Sequence, residues 1–374
     1  MATTLSNPDT TLPNHNDFLD QCRQRISSGA FNNVIADLVN ALPNISDAFS
    51  SAQANLLVAD AYLQQKQFSP ALPYMKEAEV HLERCRASNP AWFGLKIDCL
   101  MTKAWIIYFN LHHSQNLDDC LNELNELLLE YGNNRQRMAF FSVVSLGMLR
   151  RYQWYNLPLE AISHSQYSYE LARQENNLQA MISVLGELGM IHMFRNELKL
   201  AIQAFSKAVE LCGEKEIGFK AISTNYIAVC YRMLNKVSEC EHWTIQTLAL
   251  ARAHGVKVYE EHANSNLAWI QIKRGNLLTA EELARNSYDY LDKVQHPFIW
   301  LPVMPLLYVC LKNGDWRQAG KYAFPLYTPP RKRLPDSMEA HLLPMVNAWL
   351  ADDGENCLQQ LKMLIQEAEI TGHL

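Results

Sequence analysis

Two pairs of metal-binding side chains sit close together in this sequence: His81 with Cys85, four residues apart, and Cys240 with His242, two apart. A structural metal site needs three or four such ligands. Neither pair has a third nearby, so both read as core or surface groups, and no metal is expected. Carboxylates are frequent, as in Glu210–Glu216, but on an amphipathic helix they form a solvated face, and no pair stands out as an acid–base couple. GxxxxGK[ST], GxGxxG, HExxH, GxSxG and CxxC are all missing from the sequence. His192 falls where a repeating helical unit wants a large ring, and His112–His113 fall near a helix end, where a histidine meets the dipole favourably. The expectation is a chain without catalytic residues, not an enzyme, with no cofactor.

Composition narrows the class further. The 374 residues are 48% apolar and 19% charged, which supports a sizeable core and excludes a disordered or fibrous chain. Only 14 residues are glycine, which disfavours folds rich in tight turns and phosphate loops. A net charge of −6 argues against direct nucleic-acid binding, where phosphate contacts dominate affinity. Nine cysteines, odd in number and scattered, read as reduced and buried thiols, hence a cytoplasmic location. The triplet Arg331–Lys332–Arg333 leaves a nuclear address open, although between helix breakers it reads first as a solvated linker. No basic stretch followed by an apolar run opens the chain, so no secretory leader is expected. The longest uncharged apolar runs are Met138–Leu149, too short to cross a bilayer, and Pro297–Leu311, which carries Pro297, Pro302 and Pro305. No membrane association is expected.

The elements that would carry any site are set by an internal repeat. With Ile182 as position 1, positions 7, 8, 11, 20, 24 and 27 are Leu188, Gly189, His192, Ala201, Phe205 and Ala208. The same offsets from Ala221 give Ile227, Ala228, Tyr231, Cys240, Thr244 and Thr247. From Glu261 they give Leu267, Ala268, Gln271, Ala280, Ala284 and Ser287, and from Trp300 they give Leu306, Leu307, Cys310, Ala319, Ala323 and Leu326. Upstream, Ala52 opens a unit with Val58, Ala59, Tyr62, Ala71, Met75 and Ala78. Each unit reads as two antiparallel helices whose small residues let the backbones approach. Turns are expected near residues 66–68, 196–198, 235–237, 275–276 and 314–315.

These units resemble the tetratricopeptide repeat, whose small residues stand at positions 8, 20 and 27. The starts at 182, 221, 261 and 300 are 39 or 40 residues apart, longer than the usual repeat, so the helices are about one turn longer. Such long units are similar to those in the sensor arms of large bacterial signal-transducing ATPase regulators and in several assembly scaffolds. The resemblance implies an all-α fold: a right-handed superhelical solenoid of antiparallel helical hairpins. Weaker units are expected around Phe140, around Ile97–Gly132 and at Asn16–Ala41, with a last hairpin at Met338–Thr371. The expected division is a disordered tail at 1–15, an array over 16–327, a Pro-rich basic linker at 328–336 and a C-terminal hairpin or cap at 337–374.

The resemblance also says where a ligand would bind: along the concave face, at positions 2, 5, 9, 12 and 13 of each unit. Carried over, these positions include Arg151, Tyr152, Met190, Phe194, Asn225, Arg232, Trp269, Lys273, Tyr308 and Lys312. The strip is aromatic and basic, and no acid stands on it although the chain is acidic. That composition suits a peptide hot spot for acidic and apolar partner segments. The implied function is a non-catalytic interaction scaffold or adaptor that holds a peptide or helix of a protein partner. The alternative is a sensor module for a small signal molecule that acts through a partner.

Overall fold

A computed structural model describes residues 15–374, apart from short stretches at 28–29, 66, 87–88, 90, 110–114, 152–154, 156 and 328–332. The expected N-terminal tail, His112–His113 and most of the Pro-rich linker fall outside the described residues. Among those described there are helices and no strand. The chain divides into two compact units, Met1–Val143 and Val144–Leu374.

The first unit contains α1 (His15–Ser27), α2 (Phe31–Ala41), α3 (Ala48–Gln64), α4 (Phe68–Cys85), α5 (Trp92–Phe109), α6 (Gln115–Tyr131) and the opening turns of α7 (Asn134–Arg151). The second contains the rest of α7, then α8 (Leu159–Gln174), α9 (Leu178–Phe194), α10 (Leu198–Leu211), α11 (Ile217–Met233) and α12 (Val237–Ala253). It continues through α13 (Lys257–Lys273), α14 (Leu277–Lys293), α15 (Trp300–Asn313), α16 (Trp316–Tyr327), α17 (Asp336–Leu350) and α18 (Gly354–Ile370). Consecutive helices pair as hairpins, and in the second unit the first helices of successive hairpins, α9, α11, α13 and α15, also pack on one another. All five expected turns fall between paired helices.

Local chemistry explains the punctuation. Asn176, Asn196, Asn235, Gly275, Gly314 and Asp352 all take positive φ just past a helix end. Glycine, and after it asparagine or aspartate, tolerates that region best. At each one the following amide reaches back over the last turn: Glu197 N–H to His192 C=O at 2.8 Å, Lys236 to Tyr231 at 2.9 Å, Asn276 to Gln271 at 2.9 Å and Asp315 to Cys310 at 3.0 Å. This is the Schellman closure, which satisfies carbonyls the helix leaves unpaired. Side chains open several helices, with Asp47 accepting from Ser50 N–H at 2.8 Å, Asn177 from Ala180 N–H at 3.0 Å and Asp353 from Asn356 N–H at 3.1 Å.

The small-residue positions are where close packing needs them. Ala59, Ala228, Ala268 and Ala319 have no exposed surface, and Gly189 is buried. Gly189 faces the ring of Phe205 so closely that a Cβ would collide with it. Phe205 itself is fully buried between hairpins, a burial worth about 2–3 kcal/mol. First helices are buried nearly all round: α11 has ten buried residues, whereas its partner α12 has four. A helix sandwiched between its own partner and two neighbouring first helices has little face left for water. All nine cysteines are free, and every one except the half-buried Cys212 is buried.

Candidate functional site

The strip expected from the repeat pattern assembles on the first helices of the second unit, but it is not an open surface. Phe194, Asn225, Arg232 and Trp269 are buried, Met190, Lys273 and Tyr308 are partly buried, and Lys312 is exposed. Arg151 ends α7, and Tyr152 lies outside the described residues. Most of these side chains are thus turned away from solvent. The longer helices bring residues at these positions into contact across neighbouring first helices. Residues 372–374 then cover Arg232.

That cover consists of Gly372, His373 and Leu374. The Schellman closure that elsewhere starts a new helix here turns the backbone inward, with Gly372 at positive φ and His373 N–H donating to Ala368 C=O at 2.7 Å. Gly372 lies against the backbone of Met233, too close for any side chain. His373 and Leu374 are almost wholly buried.

Arg232 is the centre of this arrangement. It has no exposed surface and, among the described residues, no carboxylate partner. Its Nη2 donates to the His373 carbonyl at 2.7 Å, and its Nη1 donates to the Leu301 carbonyl at 3.1 Å and to Asn266 Oδ1 at 3.5 Å. The guanidinium stands 5.1 Å from the centre of the Trp300 ring and 5.9 Å from that of Trp269, both attractive contacts for a cation. Burial pulls its pKa down to about 9. Four buried polar atoms near it on α11 and α13 have no partner: Arg232 Nε, Asn225 Oδ1, Asn266 Nδ2 and Trp269 Nε1. Three of the four are donors.

The His373 ring is held on both nitrogens. Thr371 Oγ1 donates its proton to the Glu367 carbonyl at 2.8 Å, so it accepts from His373 Nδ1–H at 3.0 Å. Nε2 is then the acceptor for the Tyr155 hydroxyl at 3.0 Å. The ring rests on Trp300 at 4.6 Å. Burial, with the Arg232 charge adding to it, pushes the His373 pKa down to about 3, so this imidazole stays neutral. A second histidine pair lies alongside: His262 Nδ1 bonds Asn225 Nδ2 at 3.0 Å and its Nε2 reaches His296 Nδ1 at 3.3 Å. Sequence reasoning missed His373 and Tyr155, because nothing local marks residues whose partners are a hundred or more positions away.

At the rim, Lys273 Nζ lies 5.5 Å from the centre of the Trp269 ring and Lys312 Nζ lies 5.0 Å from that of Tyr308. Burial lowers the Lys273 pKa, partly offset by Glu369. The side chains suspected of other chemistry have structural partners. His192 pairs with Glu197 at 2.7 Å, Cys85 donates to the Leu82 carbonyl at 3.2 Å, and His242 pairs with Gln246 at 2.7 Å. Among the described residues no three His, Cys, Asp or Glu side chains are grouped to hold a metal, and no helix is long and apolar enough to cross a membrane.

The first unit holds a different feature, an open cavity of about 410 Å³ on its own first helices. Asp60 and Asp98 face into it, with Arg23, Arg135, Thr102 and Gln136 among the lining side chains. Asp60 is position 9 of the Ala52 unit, a ligand-facing position in the repeat pattern. The repeat pattern therefore marks this cavity as well.

No protein-family model matches the chain, and no curated protein matches it. Solved structures do match over most of its length. NprR in complex with its cognate peptide NprX aligns with a TM-score of 0.61 at 12% identity, over 95% of this chain and 99% of that one. The apo quorum sensor NprR from B. thuringiensis gives 0.62 at 12% identity, over 94% and 97%. PH0952 from Pyrococcus horikoshii, a signal transduction ATPase with a tetratricopeptide repeat sensor, gives 0.59 at 17% identity, over 90% of this chain and 50% of that one. The likeness shows the fold: all-α, a solenoid of tetratricopeptide-like helical hairpins.

Proposed function

We propose that this protein is a non-catalytic interaction module that holds a peptide or helix of a protein partner against the first helices of its second unit. The observation that carries this reading is that the face already binds peptide backbone, its own, through the Arg232 hydrogen bond to the His373 carbonyl at 2.7 Å. Three buried donors without partners lie beside that bond, so the face has unused capacity for a carboxylate or further carbonyls. Arg232, Lys273 and Lys312 favour a partner segment with acidic and apolar residues. NprR, which shares the fold, is seen with a cognate peptide. The free, buried cysteines and the acidic net charge support a cytoplasmic protein that acts on other proteins and not on nucleic acid or membrane.

The test is affinity capture from native lysate with mass spectrometry, comparing the full chain with a chain ending at Thr371. Shortening the chain should increase partner recovery, because the competing segment is gone. Trp269→Ala with Lys273→Ala should abolish recovery at unchanged helicity, the Trp anchor being worth roughly 2 kcal/mol or more. Full recovery by that double variant would move the site off this face. The cavity of the first unit favours a second reading, a receptor for a small signal molecule that passes its output to a partner.

A further inference from the structure

The cavity of the first unit is built and not incidental. Its lining comes from four first helices, α1, α3, α5 and α7. Leu56, Leu63, Leu95, Met101 and Trp105 give it apolar walls. Its volume of about 410 Å³ is that of a small-molecule site. Two carboxylates converge in it, and a side chain one repeat further along the chain orients each. Thr102 Oγ1 donates to Asp60 Oδ1 at 2.9 Å. Gln136 Nε2 donates to Asp98 Oδ1 at 2.8 Å and to the Gly94 carbonyl at 3.0 Å. Gln136 is itself fixed at the start of α7, where its amide and that of Asn133 exchange bonds with each other's side chains at 3.0 and 3.2 Å. Both carboxylates are thus held by one oxygen, leaving the other to meet a ligand. Such second-layer support is what a preorganised site requires.

The charge balance sets the ligand class. Arg23 and Arg135 both face Asp60 and Asp98, and Arg23 is shared with Asp20, so three carboxylates stand against two guanidiniums. The ionised cavity is therefore short of one positive charge. Two carboxylates without a third ligand make a poor metal site, and the nearby Arg135 would repel a bare divalent ion. We propose that this cavity binds a small organic cation, an ammonium or guanidinium group on an apolar body, with Asp60 and Asp98 as its counter-charges and Trp105 and the leucines around the body. The site deepens the second reading above and is independent of the peptide face on the second unit. Burial raises the pKa of both aspartates, Asp60 to about 6, with Thr102 opposing and the Asp98 charge adding to the rise. The other charged groups facing them are Arg135 and Arg23. A bound cation reverses that cost, so binding is linked to proton release and weakens in acid.

Calorimetric titration of the full chain tests this with three probes at pH 7.5 and pH 5: agmatine, phenethylamine and a blocked tripeptide with a central arginine. The amines should bind at micromolar to millimolar concentration, at least about tenfold more weakly at pH 5 and at least about tenfold more weakly in Asp98→Asn. Asp60→Asn, nearly isosteric, should do the same with a melting point no lower than that of the unaltered chain, since it removes a buried charge. Preference for the tripeptide over agmatine would identify the source of the group as a basic side chain, and the reverse would identify it as a free amine. Benzoate is the control and should give no heat. Absence of binding by all three cationic probes, full binding in the double aspartate variant, or binding of benzoate instead would overturn the proposal.

Discussion

The residue that governs the second unit is a histidine that cannot accept a proton where it sits. His373 is pushed down to about 3, whereas an unfolded histidine titrates near 6.5. Between those values the unfolded chain binds the proton first, so the stability contributed by neutral His373 is present above pH 6.5 and is lost as pH falls. Each pH unit in that window costs up to about 1.4 kcal/mol. Asp60, in the first unit, runs the other way. It is pushed up to about 6, so between pH 3.8 and 6 the folded state binds the proton first and acid favours folding. Acidification from pH 7.5 to pH 5 should therefore reduce hydrogen-exchange protection in α11 and α18 and leave α3 and α5 protected. His373→Gln, which cannot titrate, should remove the acid loss. Equal protection of α18 at both pH values in the wild-type chain would contradict the burial of a neutral His373. Arg232→Ala should cost about 3 kcal/mol in chemical denaturation, because it strands the Leu301 and His373 carbonyls in an apolar surround.

Helix pairs owe their spacing to single atoms. Gly189→Ala should lower stability by about 1–3 kcal/mol, since the new methyl meets the Phe205 ring. Phe205→Leu in the same chain should recover part of that loss, giving a coupling in a double-mutant cycle. At the turns, Asn235 takes positive φ, so Asn235→Gly should hold or raise the melting point, while Asn235→Ala should lower stability by about 1 kcal/mol. The hairpins were legible in the sequence because their determinants are local and periodic: Ala228 meets the helix bearing Cys240, and Ala268 meets the one bearing Ala280, within one repeat. The state of the binding face was not legible. Tyr155 and His373 lie 218 residues apart in sequence and Arg232 and His373 lie 141 apart, and no periodicity links them. The cavity in the first unit lay between these cases. Thr102 and Asp60 are 42 residues apart and Gln136 and Asp98 are 38 apart, about one repeat, so polar residues at equivalent positions were the available clue.

At the scale of the molecule, the two units differ in what their first helices offer. The first presents an open cavity with apolar walls and two carboxylates, and the second is closed over a buried cation by residues 372–374. Under the two proposals above, Asp98→Asn should remove amine binding and spare partner capture, and Trp269→Ala should do the reverse. The thiols supply a way to time each unit apart from the other. Cys22, Cys85, Cys99 and Cys120 are buried in the first, and Cys230, Cys240, Cys310 and Cys357 are buried in the second. Burial raises Cys99 to about 12 and Cys120 to about 11, so the reactive thiolate is scarce until the surround opens. Isotope-coded alkylation read by mass spectrometry should label Cys212 first and then two groups of four, each group with its own single rate. Each unit would then keep its own internal stopwatch, and a ligand that stabilises only one unit should slow only that unit's four thiols.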